Sequence, residues 1–266
     1  MKTTIFYFSA TGNSLHFAKQ LAKGLHADKM ISISEVIENN PLETSAERVG
    51  LVFPVYAWGP PRIVVDFLRK LTLKGKPYIF SIATCVGIPA KTLVTVKNEL
   101  RRKGADLDAG FVIRAKRSSL MKMNALDKII IALDKKRKRL KTGNERLEEV
   151  FSTVRELRKH KPETSSWAAN IFGTLFHDKG IDYFKSAAGS FKVSGDCKGC
   201  GICVRVCPRA NINLLKGVPS FGDNCEFCHA CIQWCPEFAI SHPDFDTELP
   251  QYTNPEVRVN ELVINA

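Results

Sequence analysis

Four cysteines, Cys197, Cys200, Cys203 and Cys207, with Pro208 directly after the last, recur as Cys225, Cys228, Cys231 and Cys235 followed by Pro236. Both copies have the form CxxCxxCxxxCP. Three thiolates spaced three residues apart can bend around one corner of an iron–sulfur cubane, and the fourth, followed by proline, leaves the loop towards a neighbouring cluster. The ligand sets that follow are Cys197, Cys200, Cys203 and Cys235 for one [4Fe-4S] cluster, and Cys225, Cys228, Cys231 and Cys207 for a second. Structural zinc also uses cysteine pairs. Its sites usually join two separated CxxC pairs, whereas each copy here puts three cysteines within seven residues. His229 falls inside the second copy, but eight cysteines already complete two four-thiolate sites. It therefore reads as a solvent-facing or hydrogen-bonding neighbour and not as a ligand.

A different chemistry is written near residue 10. The apolar run 4–8 leads into Ser9, Ala10, Thr11, Gly12, Asn13 and Ser14, and then into a helical pattern. Hydroxyls and backbone N–H groups at a strand-to-helix junction, with the positive end of the helix dipole behind them, suit a phosphate. The Gly-Lys-Ser/Thr ending of the longer Walker loop is absent. Alone, such a turn reads equally as an ordinary N-cap. Two further loops bear on it: Pro54, Val55, Tyr56, Ala57, Trp58 and Gly59 after one strand candidate, and Thr84, Cys85, Val86 and Gly87 after the next. Tyr56 and Trp58 are candidates to pack on a flavin ring, with 84–87 approaching its other edge. Core or interface packing is the alternative for the aromatics. Cys85 reads as a small buried hydrophobe and not as a nucleophile.

Strands and helices must position these loops. Residues 2 to about 115 alternate between the two, the pattern of a parallel sheet covered on both faces. The strand candidates are 3–8, 30–33, 49–55, 78–83 and 110–113, with helices starting near Asn13, Pro60 and Pro89. A helix over 144–160 puts Leu147, Val150, Phe151, Val154 and Leu157 on one face and could close the sheet. The apolar residues Ile129, Ile130, Ile131 and Leu133 suggest an inserted amphipathic helix that ends in a basic block at 135–139. From 161 to 190 the pattern breaks into Pro, Gly, Ser and isolated aromatics, which reads as a linker whose aromatics pack on one of the two domains. Beyond about Asp246 no signal is legible, and the chain there is expected to wrap over the surface.

The short SxTGNS loop resembles the phosphate loop of flavodoxins, and the cysteine repeat resembles the bacterial two-cluster ferredoxins over about 190–245. Together with FPVYAWGP the layout is similar to the flavodoxin and ferredoxin fusion proteins called the EFR family. The resemblance implies an α/β fold, a flavodoxin-like doubly wound parallel five-stranded sheet, followed by a small α+β two-[4Fe-4S] ferredoxin-like domain. The implied division is 1–160 for an FMN-binding domain with a basic helical insert at about 115–142, 161–190 for an aromatic linker, 191–245 for the ferredoxin domain and 246–266 for a tail. In a flavodoxin-like order the three loops lie beside the switch point where FMN binds. The implied cofactors are FMN and two [4Fe-4S] clusters. The long basic insert departs from the family layout.

Bulk properties narrow the classes. No apolar stretch reaches the roughly 20 residues of a membrane span, and the first residues enter a strand-like run instead of a leader, so a cytoplasmic protein is expected. Eight of the nine cysteines lie between Cys197 and Cys235, which is unlike a secreted disulfide scaffold. The net charge of +12 is concentrated between Lys97 and Lys141. That charge suits a docking surface for an acidic redox partner better than nucleic acid, for which no helix-turn-helix or aromatic-basic motif is present. Clusters pass single electrons and FMN one or two, so the expected function is electron transfer between them for a partner protein. A flavin-dependent reductase fed by the clusters is the alternative, and a redox-sensing binding module the second.

Overall fold

The structure, a computed structural model, describes residues 1–39, 41–123, 128, 131–132 and 143–264. Most of the basic insert, including 135–139, lies outside them. Five strands, β1 (Thr3–Tyr7), β2 (Lys29–Ser32), β3 (Arg48–Pro54), β4 (Tyr78–Cys85) and β5 (Ala109–Arg114), form one parallel sheet in the order β2-β1-β3-β4-β5. Period-2 alternation sorts their side chains. Phe6, Phe8, Leu51 and Phe53 face α2 (Arg62–Lys70) and α3 (Thr92–Arg101). Ile5, Tyr7, Val52, Phe111 and Ile113 face α1 (Asn13–Gly24) and α4 (Gly143–Arg155). Both faces are therefore buried, which is why the strands read as near-continuous apolar runs. The expected doubly wound sheet is present, and its order makes β1 and β3 the pair at which the chain reverses.

Two segments differ from expectation. The helix expected over 144–160 ends at Arg155: Leu157 takes a positive φ of 53°, and His160 bridges to Ala109 beside β5 and stacks on Phe111. The segment 161–190, expected as an irregular linker, contains α5 (Trp167–Ala187). Its glycines are contact points and not breaks. A Cβ on Gly173 would fall 2.5 Å from that of Ala90, and one on Gly180 would fall 2.8 Å from that of Ala57. The helix thus lies directly on two loops of the sheet domain, closer than any side chain allows.

Residues 192–245 build a smaller unit. Lys192–Val193 pairs antiparallel with Ile240–Ser241, enclosing α6 (Ile202–Arg205), a hairpin of β6 (Ile212–Leu215) and β7 (Val218–Phe221), and α7 (Ala230–Gln233). Its core is Phe227, Ile212, Ile232, Ile240 and Phe245 with several of the cysteines. Among the described residues no helix is long and apolar enough to cross a membrane.

A buried carboxylate joins the unit to the sheet domain. Glu226 accepts from the Ile63 N–H at 3.0 Å, at the start of α2, and from Arg209 Nε at 2.9 Å. Arg209 also donates to Asp66 at 2.5 Å, while Arg62 donates to the Cys225 carbonyl at 2.9 Å. The unpaired N–H groups and positive dipole end of α2 are thus met by a carboxylate from another part of the chain. Glu226→Ala would leave Arg209 short of one partner in a buried setting, and is expected to destabilise the protein by about 3–5 kcal/mol in anaerobic urea denaturation. Lys74→Ala, which breaks the exposed pair with Glu43, should cost less than about 1 kcal/mol. Equal losses would remove Glu226 as the joint.

Candidate functional site

The loop after β1 is held from several directions. Gly12 has a φ of 95°, a conformation that side chains rarely adopt, and a Cβ there would lie 2.9 Å from Asn254 Cβ. Ser14 Oγ and Thr84 Oγ1 are 2.9 Å apart, which ties the first loop to the third. Asn13 donates from Nδ2 to the Lys116 carbonyl, and its Oδ1 accepts from the Tyr252 hydroxyl at 2.9 Å and from Asn254 Nδ2 at 3.1 Å. The Asn254 N–H donates to the Thr11 carbonyl. The segment after 246 thus does wrap back, and it lands on the phosphate-loop candidate. Trp234 Nε1 donates to the Ala10 carbonyl, so the cysteine unit grips the same loop.

In the second loop Tyr56 and Gly59 exchange both backbone hydrogen bonds at 2.9 Å, and Ala57 and Trp58 between them have φ of 43° and 62°. Two successive positive φ values make this a type I′ turn, unusual without glycine or asparagine at its centre. The turn is braced by α5: His177 Nδ1 lies 2.9 Å from the Ala57 carbonyl, and Phe172 meets the Trp58 ring edge-on at 5.0 Å. Trp58, expected against a flavin ring, is thereby claimed by a helix that was read as linker. Tyr56 lies edge-on to Phe8, and burial, with Cys228 and Glu226 nearby, raises its phenol well above the ordinary value.

The three loops meet around one open cavity. Ser9, Thr11, Asn13 and Ser14 line one part, and Pro54, Val55, Tyr56, Ala57, Thr84, Cys85 and Val86 line another. Of the residues singled out from sequence, Gly12, Trp58, Gly59 and Gly87 do not line it. The wall also holds residues that sequence reasoning passed over. Ala115, Lys116, Ser118, Ser119 and Met121 come from the start of the insert, which is not helical over 115–123, and Phe184 comes from α5. Phe227, Cys228 and His229 come from the second cysteine motif. Donors at one end and apolar and aromatic surface at the other suit a phosphorylated planar ring.

The eight motif cysteines form no disulfide and line two further cavities. One is lined by Cys197, Cys200, Cys203 and Cys235, with Ile202, Leu214, Pro219 and Ile240 around them. The other is lined by Cys207, Cys225, Cys228 and Cys231, with Phe191, Ile212 and Phe221. The fourth cysteine of each motif crosses to the other set. Among the described residues no three His, Cys, Asp or Glu are grouped to hold a single metal ion. The Asn211 N–H points at Cys207 Sγ and the Phe227 N–H at Cys225 Sγ, both at 3.3 Å. Burial pushes the thiols of Cys203 and Cys225 up to about 11, so charged sulfur in these cavities requires a compensating cation.

Cys228, Phe227 and His229 line both the second cysteine cavity and the loop cavity. His229, read as a solvent-facing or hydrogen-bonding neighbour, is buried, and its Nδ1 accepts from the Leu120 N–H at 3.2 Å. Burial pushes its pKa down to about 3, which keeps the ring neutral. The close seat of α5 on these loops makes a sign prediction. Gly173→Ala would favour a free helix by about 1 kcal/mol, yet here it forces Ala90 and Trp58 aside and is expected to destabilise by about 1–3 kcal/mol. Equilibrium denaturation checks the sign, and a gain in stability would remove the close approach.

Comparison with curated proteins finds no match. Among solved structures, similarity is found to one described as a flavoprotein from Bacteroides uniformis, at 17% identity and a TM-score of 0.36, covering 44% of this chain and 92% of that one. The Trp repressor binding protein of Bacillus subtilis is similar at 11% identity and a TM-score of 0.32, over 44% of this chain and 86% of the other. An FMN-dependent NADH-azoreductase from Bacillus anthracis, in complex with FMN, is similar at 9% identity and a TM-score of 0.34, over 60% and 100%. A protein-family model described as a flavodoxin domain matches residues 4–144, more than half of the 266-residue chain. With its 2-1-3-4-5 parallel sheet, this chain belongs to the flavodoxin domain family.

Proposed function

We propose that this protein is an electron-transfer protein that holds FMN in the loop cavity and two [4Fe-4S] clusters in the two cysteine cavities, with residues 191–245 acting as a ferredoxin-like domain fused to the flavodoxin-like one. When bound, the clusters supply one-electron and the flavin one- or two-electron chemistry. The observation that carries the reading is the shared wall: Cys228 lines both the loop cavity and the second cysteine cavity.

The chain's own residues divide the work. Ser9, Thr11, Asn13 and Ser14, with the start of α1, bind the phosphate. Tyr56, Ala57, Thr84, Cys85 and Val86 flank the ring, and Phe184 and Met121 exclude water from its far side. Cys197, Cys200, Cys203 and Cys235 hold one cluster, and Cys207, Cys225, Cys228 and Cys231 the other. Among the eight, Cys200 is the exposed one, with Lys198 close by, so the first set offers an edge to an acidic redox partner.

Anaerobic purification without reconstitution is expected to give about eight iron, equal sulfide and one FMN per chain. Cys228→Ser should lower iron towards about four while sparing the first set. Zinc in place of iron would end the cluster reading, and full iron without flavin would end the flavin one. After photoreduction, cluster absorbance that recovers while flavin absorbance stays fixed would rule out exchange between the two.

A further inference from the structure

The two cysteine motifs repeat in sequence, but they differ at two backbone positions of the same kind. Gly199 and Gly201 of the first have φ of 66° and 73°. Their counterparts in the second are Phe227 and His229, with φ of 51° and 65°. Glycine is the residue that takes this conformation freely, and a side chain there is held against steric resistance. Gly199 has a local reason, since a Cβ would fall 2.9 Å from the Gly217 carbonyl of the hairpin. The second motif replaces both glycines with large rings, and both rings line the cavity that the phosphate loop opens onto. Strain retained where a ligand would sit is a pointer to function.

The His229 ring is fixed in tautomer as well as in place. Its Nδ1 accepts from the Leu120 N–H, so the neutral ring carries its proton on Nε2. Phe227 meets it edge-on at 5.3 Å, and Phe245 lies tilted against it at 4.4 Å. Among the described residues the Nε2–H has no protein acceptor. A preset neutral donor therefore stands in the cavity wall, next in the chain to Cys228.

We infer that His229 is a cofactor-contacting residue, whose Nε2–H donates a hydrogen bond to an acceptor atom on the edge of the flavin ring and favours the reduced, electron-richer ring over the oxidised one. The inference rests on the FMN reading above and adds to it a residue that tunes the flavin from the cluster side. A donor to an atom that gains electron density on reduction binds the reduced form more tightly, and so raises the midpoint potential of the flavin.

The test compares His229→Gly, which restores the glycine of the first motif, and His229→Gln, which keeps an N–H donor, with the unaltered protein. FMN is titrated into deflavinated protein with its clusters retained, iron is counted, and the flavin midpoint is measured by spectroelectrochemistry. His229→Gly is expected to keep its iron, to bind oxidised FMN about threefold more weakly and reduced FMN about thirtyfold more weakly. That tenfold difference is a midpoint about 30 mV lower for a two-electron couple. His229→Gln should recover part of the shift. An unchanged midpoint in His229→Gly with iron intact would overturn the assignment while leaving the FMN reading standing. Loss of iron in both variants would assign His229 to cluster assembly and overturn it too. Failure of the unaltered protein to take up FMN would overturn both readings together.

Discussion

A carboxylate taken out of water must be met by donors, and Glu226 is met by donors from both parts of the molecule: the Ile63 N–H of the sheet domain and Arg209 of the cysteine unit. The desolvation of that group is tolerable in one arrangement and not in its neighbours, so it acts as a geometric stop. Because Glu226 stands between Cys225 and Phe227, fixing it at the start of α2 fixes the second motif against the loop after β3. The closeness of Tyr56 to Cys228 and the shared wall of the two cavities both depend on this placement. Lys198, the matching position of the first motif, carries the opposite charge, and that motif leaves Cys200 exposed while its Ile202 and Val206 pack near Ala10.

Local rules made much of this readable. The five strands, the phosphate-loop candidate and the cysteine motifs are each contained in a short stretch, so residue type and spacing are enough. Cys235 lines a cavity with the first three cysteines and Cys207 with the second three, the grouping that the cluster motif leads one to expect. What could not be read involves partners distant in sequence. Gly173 and Gly180 look like helix breakers until Ala90 and Ala57 are known to lie against them. Tyr252 and Asn254 sit in a stretch without periodicity, and their role comes from meeting Asn13, some 240 positions earlier. Trp58 suits a flavin ring or an interface equally by residue type, and only the position of Phe172 in α5 shows that it takes the interface. The Phe227 and His229 pair had a signal that alignment of the two motifs would expose, namely large side chains where the first motif has glycine.

The two motifs illustrate how a duplicated unit can divide its tasks. A module of this size has a small core, and here part of that core is the cysteines themselves. The hairpin leaves Leu214, Leu215 and Val218 exposed, while Ile202 and Val206 of the first motif and Ala230 and Trp234 of the second pack around Ala10 of the loop after β1. Stability therefore enters the module from one side, through the sheet domain, and solvent contact from the other.

The cover over the loop after β1 has an implication for how the protein is made. Tyr252, Asn254 and Val257 leave the ribosome after β1, α1, the whole sheet and both cysteine motifs. During synthesis the sheet domain can fold early as a unit, yet its loop between β1 and α1 stays uncovered until the last of these elements arrives. Nascent chains would therefore pass through a stage with a finished sheet and an uncovered loop, and closure of that loop would wait for a segment made after both cysteine motifs.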